Sequence, residues 1–364
     1  MLAAYYMDPS HPFRFARTGR EVRNRGLLAA MTNKQSYEDG RLSDDETSWL
    51  VRRAKDGFGI ITTAASHVSE TGKGWSGEMG VWSDDHLDGL TTLATRLREH
   101  GALSLVQLFH GGMKAPIEIN GLLPVCPSEM TDEQGEVVAR ALDEDDILEL
   151  ISHFTTAAVR CQQAGFDGIE LHGAHGYLIS QFLGTITNRR TDQWGGDVAS
   201  RMKFLTMIID SIRDATDEHF LIGVRFSPII RSIGITIEDS IEVVQRLSQM
   251  DIDMLHISCW DVFEQQPDGR HVTAIFRAHV PPSIAYISTG AVWTSKDAQW
   301  LMGQGADLVG VARVAIAHPD WANHLADESY SPQRPPFSPE ELSDADLSPV
   351  FIDYMRNWDG FVSS

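Results

Sequence analysis

Hydrophobic and polar positions follow two different spacings along most of this chain. Eight short and nearly continuous apolar runs, rich in branched residues, predict parallel strands that are buried on both faces. These runs cover residues 26–30, 59–63, 103–109, 168–171, 221–226, 254–257, 284–287 and 307–311. Between them, apolar residues recur at helical spacing over residues 44–55, 84–99, 144–163, 199–215, 237–249 and 295–303. The pattern therefore predicts strands that alternate with helices.

The order of these elements indicates the fold class. Ser43, Ser83 and Thr294 stand directly before predicted helices, where a hydroxyl oxygen caps the first turn. Eight strands joined by crossover helices favour an α/β fold, a single (β/α)8 barrel of the TIM type over residues 1–328. A doubly wound open sheet is the alternative architecture.

Two connections and the end of the chain depart from a minimal barrel. Residues 111–143 follow the third strand and residues 259–282 follow the sixth, and long loops at this face are usually lids or substrate walls. Residues 329–364 are rich in Pro and Ser at first and regain apolar character at 350–360. We expect this tail to be an oligomer contact rather than a second domain, so a homo-oligomer is one expectation.

Composition narrows the class of protein. The chain has 364 residues, of which 42% are hydrophobic and 22% charged, as in globular proteins with a sizeable core. Its net charge of -21 disfavours binding to nucleic acid or to anionic membranes. The sequence has neither a long uninterrupted apolar run nor a basic-then-apolar start. Three separated cysteines are typical of a reducing compartment, so we expect a cytoplasmic protein.

The most informative segment is residues 167–201, DGIELHGAHGYLISQFLGTITNRRTDQWGGDVASR. Its predicted strand leads directly into His172, His175 and Tyr177. In a barrel the carboxyl ends of the strands carry the active site. Two imidazoles and a phenol supply hydrogen-bond donors and a proton source, so these three are the predicted catalytic residues. The alternative is a strand and a helix start with incidental histidines.

Other strand ends predict a cofactor site. Gln107 can offer a donor and an acceptor to a planar heterocycle. Arg225 lies in apolar GVRFS and must find an anion, although it could instead pair with a neighbouring carboxylate. Small residues around Gly290, together with Ala312 and Arg313, suit a phosphate at the seventh and eighth strand ends. A phosphate site, an amide and a buried arginine together fit flavin mononucleotide, FMN.

Two further patterns carry little weight. Residues 72–77, GKGWSG, match GxGxxG, but no helix start follows, as a dinucleotide-binding turn requires. His172 and His175 could form half of a metal site, but a catalytic zinc needs a third ligand. We therefore expect neither a dinucleotide fold nor a metal.

The sequence resembles the old yellow enzyme family of NADH:flavin oxidoreductases over roughly residues 24–325. The matching segments are NRGLLAAMT at 24–32, VQLFHGG at 106–112, the stretch 167–196, GVRFS at 223–227 and DLVGVAR at 307–313. HGAHGY followed by NRRTD is the most specific of these. The resemblance implies a (β/α)8 barrel that holds FMN and takes its electrons from NAD(P)H.

The resemblance also implies roles for individual residues. His172 and His175 would bind the substrate oxygen, and Tyr177 would donate a proton. The residues implied to contact the flavin ring are Ala29, Ala30, Met31, Thr32, Ala64, Gln107 and Arg225. Those implied to hold the flavin phosphate are Gly290, Ala312 and Arg313.

The implied activity is reduction of activated C=C bonds in α,β-unsaturated carbonyl, nitro or quinone compounds. Two imidazole donors on a carbonyl oxygen withdraw electron density from the β-carbon and so favour hydride addition. A flavin-free sugar-phosphate isomerase or aldolase and a catalytically silent flavin-binding protein remain alternatives. No lysine stands at a predicted strand end, which disfavours an aldolase.

Some positions depart from the family pattern. Ala30 replaces a usual proline, and Ala312 replaces a usual glycine at the phosphate site. Thr32 stands where some relatives have cysteine, so the flavin potential is not expected to be tuned by a thiol. In some relatives a tail arginine enters the neighbouring subunit's site, and Arg356 is the candidate here.

Overall fold

Eight parallel strands close into a barrel in the computed structural model, which describes residues 8–363. They are β1 (Gly26–Leu28), β2 (Ile60–His67), β3 (Leu103–Phe109), β4 (Gly168–Gly173), β5 (Leu221–Phe226), β6 (Met254–Ser258), β7 (Ala285–Thr289) and β8 (Leu308–Val311). Each strand pairs with the next along the chain, and β8 pairs with β1. The predicted barrel is confirmed, and the open sheet is excluded.

Helices surround this barrel and continue into the tail. They are α1 (Asp44–Lys55), α2 (Leu87–Glu99), α3 (Ile117–Asn120), α4 (Glu144–Gln163), α5 (Leu178–Leu183), α6 (Val198–Ala215), α7 (Ile237–Leu247), α8 (Val272–Arg277), α9 (Ser295–Gly303), α10 (Arg313–Ala317), α11 (Pro339–Asp344) and α12 (Pro349–Met355). Ser43 and Thr294 cap α1 and α9 as predicted. The helix predicted from residue 84 begins with a 3-10 turn, Asp84–His86, which Ser83 caps.

Alternation along the strands divides the barrel interior into layers. At the amino-terminal end, apolar side chains such as Leu27, Leu221 and Leu308 form a small inner core. Nearer the carboxyl ends, the inward positions become polar, as at Gln107 and Arg225, both of which are buried. Because successive inward residues are two positions apart, the uppermost inward residue of each strand faces the carboxyl-end opening.

One strand breaks this regular alternation. The pairing of β2 with β3 matches Thr62 to Leu105 but then Ala65 to Gln107, so β2 contains an extra residue. Such a bulge moves the following side chains to the other face of the strand. Ala65, rather than Ala64, therefore lies level with Gln107.

Both long loops contain structure of their own. Residues 111–143 include a 3-10 turn (Gly112–Lys114), α3 and a small sheet of Val125–Cys126, Met130–Thr131 and Val137–Ala141. Residues 259–282 include α8. Both loops leave the barrel at its carboxyl end, as the sequence predicts.

The tail packs against its own barrel. Phe351 of α12 is fully buried and meets Trp49 of α1 edge-on, with ring centroids 5.4 Å apart. The backbone N–H of Ser348 donates to Gln35 Oε1 at 3.3 Å. The oligomer contact expected of residues 329–364 stays a prediction. None of the helices between residues 8 and 363 has both the length and the apolar character needed to cross a bilayer.

Candidate active site

A cavity of about 300 Å³ opens at the carboxyl ends of the barrel strands. It brings together ten of the residues predicted from the sequence: Ala30, Met31, Thr32, Gln107, His172, His175, Tyr177, Arg225, Ala312 and Arg313. A narrower cavity of about 140 Å³ lies between the ends of β7 and β8 and adds Gly290. His175, Arg225, Ala312 and Arg313 line both cavities, so the two adjoin each other.

Two of the residues implied to contact the flavin, Ala29 and Ala64, line neither cavity, and their contact with a flavin stays a prediction. Ala29 is fully buried in the inner apolar core, one layer below Met31. Ala64 is displaced by the bulge in β2, and Ala65 lines the cavity in its place. The sequence pattern could not reveal the extra residue in β2, because that residue shows only in the pairing of β2 with β3.

His172 lies near the end of β4 with its ring nearly perpendicular to that of His175, at a centroid distance of 5.0 Å. The backbone N–H of Ala174 donates to His172 Nδ1 at 3.3 Å. Because Nδ1 accepts that bond, the ring proton resides on Nε2 and remains available to a ligand. Burial lowers the pKa of His172 well below its usual value, and His175 and Arg225 lower it further, so the ring is neutral.

His175 is held by its backbone and by its ring. It adopts a left-handed conformation, with φ of 60°, and Lys114 Nζ donates to its carbonyl oxygen at 2.7 Å. Its Nε2 lies 2.9 Å from Ser258 Oγ, which also accepts from Arg225 Nη2 at 3.1 Å. Since Ser258 accepts from the guanidinium, its hydroxyl proton is free for Nε2, which leaves Nδ1–H as a donor. Burial lowers the pKa of His175 to about 3.

Tyr177 stands beside the histidines. Its ring meets Phe109 edge-on at 4.6 Å and His172 at 5.0 Å. Burial raises the pKa of Tyr177 to about 12, and the nearby Glu78 also raises it. The phenol is therefore protonated at neutral pH and can act as a proton donor.

Arg225 reaches the cavity from the end of β5. Its Nη1 donates to the Ala30 carbonyl oxygen at 3.0 Å, and its Nε is buried without a hydrogen-bond partner among the described residues. Burial lowers the pKa of Arg225, and Glu170 opposes that effect. The alternative of direct pairing with a carboxylate does not hold, because its two bonded partners are Ala30 and Ser258. An unpartnered buried N–H suits an acceptor atom of a bound group.

A buried polar network lies beneath the cavity. Glu170 Oε1 accepts from Gln107 Nε2 at 2.7 Å, and Glu170 Oε2 lies 2.6 Å from His256 Nδ1. His256 Nε2 lies 2.6 Å from Thr289 Oγ1. With its amide nitrogen bound to Glu170, Gln107 keeps its carbonyl oxygen as an acceptor for a ligand. The inward alternation of 168, 170 and 172 could have located Glu170.

The narrow cavity has the features of a phosphate site. Gly290 has φ of 155°, and a Cβ there would lie 2.6 Å from the Cys259 carbonyl oxygen, so only glycine lets the chain pass this closely. The Arg313 guanidinium supplies positive charge and stacks on Trp260 at 5.2 Å. Together with the free N–H of Arg225 and the acceptor of Gln107, these groups match the phosphate and ring-edge chemistry of FMN.

The sequence did not single out several residues that line the larger cavity. They include Trp75, Trp260, Tyr354, Met355, Trp358 and Phe361. The sequence did contain a signal for the tail residues, because the apolar positions 351, 354, 355 and 358 have the spacing of one helix face. Trp75 comes from GKGWSG, after which no helix begins until the 3-10 turn at Asp84–His86, so the motif was correctly set aside.

Two other residues, His110 and Arg356, lie outside this arrangement. His110, at the end of β3, turns away: its Nδ1 accepts from the Gly112 N–H at 3.0 Å. Arg356 does not line its own chain's cavity, and its entry into a neighbouring site stays a prediction. Within residues 8–363, no group of three or more His, Cys, Asp or Glu side chains could hold a metal ion.

Comparison with known proteins places this site in a family. The sequence model of the NADH:flavin oxidoreductase / NADH oxidase family matches residues 11–331. The chain belongs to this family. It is 35% identical to a probable NADH-dependent flavin oxidoreductase of Bacillus subtilis, over 87% of this chain and 87% of that protein. It is 32% identical to an NADPH dehydrogenase of a Geobacillus strain, over 85% of this chain and 92% of that protein.

Solved structures agree with the NADH:flavin oxidoreductase assignment. An old yellow enzyme homologue from Zymomonas mobilis superposes with a TM-score of 0.80 and 25% identity, covering 93% of this chain and 99% of that one. The predicted resemblance to the old yellow enzyme family is thus confirmed. The protein is a flavin-dependent NAD(P)H oxidoreductase acting on small molecules, and a flavin-free isomerase or aldolase is excluded.

Proposed function

We propose that this oxidoreductase reduces activated C=C bonds of α,β-unsaturated carbonyl, nitro or quinone compounds. The observation that carries the proposal is the neutral pair His172 and His175, with one N–H of each left free beside the protonated Tyr177. Two donors and one acid at a single cavity fit an electrophile that carries an oxygen acceptor.

The residues present fit FMN as the resident cofactor. Gly290, Ala312 and Arg313 would hold its phosphate, whereas Gln107 and Arg225 would bind the polar edge of its ring. When bound, FMN would supply the redox chemistry by accepting a hydride from NAD(P)H and passing a hydride to the substrate. The positive Arg225 favours negative charge at that edge.

The side chains would complete the reduction. The N–H groups of His172 and His175 hold the substrate oxygen and stabilise the negative charge that develops there when hydride adds to the β-carbon. Tyr177 then donates its hydroxyl proton to the α-carbon, and water restores that proton. One hydride and one proton are added across the C=C bond, so charge and atoms balance.

Spectroscopy under anaerobic conditions tests the proposal. We expect the FMN-loaded protein to lose its visible absorption on addition of NADH or NADPH and to regain it on addition of 2-cyclohexenone. His172→Gln combined with His175→Gln should retain the first step and lose most of the second. His153→Gln, a half-exposed histidine on α4, is the matched control. A protein that bleaches but does not recover with any enone, nitroalkene or quinone would instead be a catalytically silent flavoprotein.

A further inference from the structure

One buried carboxylate lies below the two side chains that would bind the polar edge of FMN. Glu170 is an inward residue of β4, which pairs with β3 on one side and with β5 on the other. Gln107 of β3 is level with Glu170, whereas Arg225 of β5 is level with His172, two residues nearer the cavity. Glu170 is 1% exposed and lines neither cavity. It can therefore act on a bound group only from below, through these neighbours and through its charge.

Both oxygen atoms of Glu170 accept hydrogen bonds. Oε1 accepts from Gln107 Nε2 at 2.7 Å, and Oε2 lies 2.6 Å from Nδ1 of the buried His256. The other ring nitrogen of His256 lies 2.6 Å from Thr289 Oγ1, whose hydroxyl can donate to it. One assignment of protons satisfies every group: Thr289 donates to His256, and His256 and Gln107 each donate to an ionised Glu170.

The far end of these hydrogen bonds depends on a glycine in β8. A Cβ at Gly310 would lie 1.8 Å from Thr289 Oγ1 and 3.1 Å from His256 Nε2. The first distance is far below van der Waals contact, so any side chain at this position would displace the threonine hydroxyl. Residues of β3, β4, β6, β7 and β8 thus contribute to the surroundings of one carboxylate.

The carboxylate determines which end of the Gln107 amide faces the cavity. A glutamine side chain can present either its NH2 group or its carbonyl oxygen, because the two groups have similar size. An ionised Glu170 can only accept, so it selects the orientation in which Nε2 points down and Oε1 remains for a ligand. The flavin ring system has one ring N–H between two carbonyl groups, and Gln107 in this orientation is the matching acceptor.

The negative charge of Glu170 also acts on Arg225. The hydrogen-bond partners of the guanidinium, the Ala30 carbonyl oxygen and Ser258 Oγ, are uncharged. Burial lowers the pKa of Arg225, and the charge of Glu170 raises it. Arg225 favours a cofactor that becomes more negative on reduction, whereas Glu170 opposes that change. The two charges therefore have opposite effects at the same edge of the site.

We propose that Glu170 is a positioning residue that turns the Gln107 carbonyl oxygen towards the cofactor and, through its negative charge, lowers the reduction potential of bound FMN. This inference rests on the FMN-dependent function proposed above and adds a control of the cofactor's potential. Because Glu170 lines neither cavity, its effect should appear in the balance between oxidised and reduced FMN rather than in a chemical step.

Anaerobic redox titration of the FMN-loaded protein tests the inference. Glu170→Gln removes the charge and keeps a side chain that can still form hydrogen bonds. We expect the variant to bind reduced FMN, relative to oxidised FMN, about ten-fold more tightly than the parent does, which raises the two-electron midpoint potential by about 30 mV. Kd for oxidised FMN, measured by fluorescence titration, should change by less than about three-fold, because the phosphate site is untouched.

Two control variants separate the charge from a packing defect. Asp253→Asn removes another buried carboxylate, which pairs with Arg17 and Arg213 just before β6, and should leave the potential at the parent value. His256→Asn keeps an N–H that can donate to Glu170, so the charge remains and the potential should stay close to that of the parent. A packing defect would weaken oxidised and reduced FMN alike and would leave the potential unchanged.

A further variant changes the same charge indirectly. His256→Leu removes one of the two donors to Glu170 and so favours the protonated, neutral carboxyl group. It should raise the potential in the same direction as Glu170→Gln, and it decides the question if Glu170→Gln does not fold. A potential equal to that of the parent would then overturn the inference.

The outcomes separate this inference from the proposed function. A potential in Glu170→Gln that equals or lies below the parent value would overturn the inference, as would an equal rise in Asp253→Asn. If the potential rises as expected but no enone is reduced, the inference stands and the C=C reductase function fails. If the parent itself retains no FMN, the cofactor assignment is wrong and the inference is wrong with it.

Discussion

Gln107 donates its side-chain N–H to Glu170 at 2.7 Å inside the barrel, directly below the cavity. Glu170 is 1% exposed, and its second oxygen engages His256. Burial alone would raise the pKa of Glu170, but His256, Arg225 and Gln107 together hold it below its usual value. His256 has a lowered pKa because it is buried, so the carboxylate is charged while the imidazole is neutral. The network thus places one negative charge beneath Arg225.

Glu170→Gln should therefore destabilise the protein. Removing the carboxylate deprives the buried Arg225 of a nearby opposite charge and weakens the hydrogen bonds to Gln107 and His256. We expect a loss of about 2 kcal/mol in unfolding free energy at pH 7. Because the pKa of Glu170 is lower in the folded protein than its usual value of 4.5, the ionised side chain stabilises the fold above pH 4.5. This contribution is lost as the pH falls through the folded pKa. Urea unfolding should show that the difference in unfolding free energy between the parent and Glu170→Gln is smaller at pH 4 than at pH 7. An equal difference in unfolding free energy at both pH values would contradict an ionised Glu170.

Glu78→Gln should have the opposite effect on stability and make the protein more stable above neutral pH. Burial raises the pKa of Glu78 well above its usual value, although the N–H of Gly74 and the charge of Lys73 oppose this effect. Because the pKa of Glu78 is raised in the folded protein, its neutral form contributes fully to stability below pH 4.5, and this contribution declines as the pH rises. A glutamine at this position does not titrate, so it gives no such pH dependence. The variant should therefore be more stable than the parent at pH 8 and comparable at pH 4.5, as measured by thermal unfolding. A variant less stable at pH 8 would indicate an ionised Glu78.

Gly290→Ala should weaken FMN binding. The added Cβ would approach the Cys259 carbonyl oxygen to 2.6 Å and so push apart the backbone that lines the narrow cavity. We expect Kd for FMN to rise by about ten-fold or more, which corresponds to a loss of about 1.4 kcal/mol. Gly303→Ala in α9 is the matched control, because nothing lies within 4 Å of its Cβ position. Fluorescence titration of FMN compares the two, and equal affinities would exclude a phosphate site at Gly290.

Tyr177→Phe should slow protonation of the product without affecting flavin reduction. Loss of a positioned acid typically costs about 10²- to 10⁴-fold in rate. Stopped-flow measurement should show normal bleaching by NAD(P)H and slow recovery with 2-cyclohexenone. Because the pKa of Tyr177 is raised to about 12, the parent should retain its protonating group up to at least about pH 10. Recovery at the parent rate in the variant would assign the proton to water or to another residue.

Periodicity predicted the barrel because branched apolar runs and capped helices agree with one another along the chain. The same alternation would have placed Glu170 and Ser258 inside the barrel, since they share a face with His172 and His256. The bulge at Ala64 could not be predicted, because it depends on the pairing of β2 with its neighbour. Short-range patterns do not reveal such a register shift.

The tail shows a different limit of sequence reasoning. Its apolar spacing led us to expect an oligomer contact, which stays a prediction. The packing of the tail against its own barrel depends on long-range contacts such as Phe351 with Trp49, which the spacing does not reveal. The sequence did not single out Trp75 and Trp358 as cavity residues for the same reason, since these two distant positions line one cavity only in the folded chain. His172, His175 and Tyr177 were easier to find, because all three lie within six consecutive positions.

We propose that the carboxyl end of this barrel binds FMN next to the paired histidines. The most direct test of this proposal is the amount of FMN retained per chain after the purified protein is incubated with excess FMN and passed through a desalting column. We expect one FMN per chain, released on unfolding, together with a visible absorption band that shifts when a phenol is added. A folded protein that retains no FMN and shows no such band would contradict it.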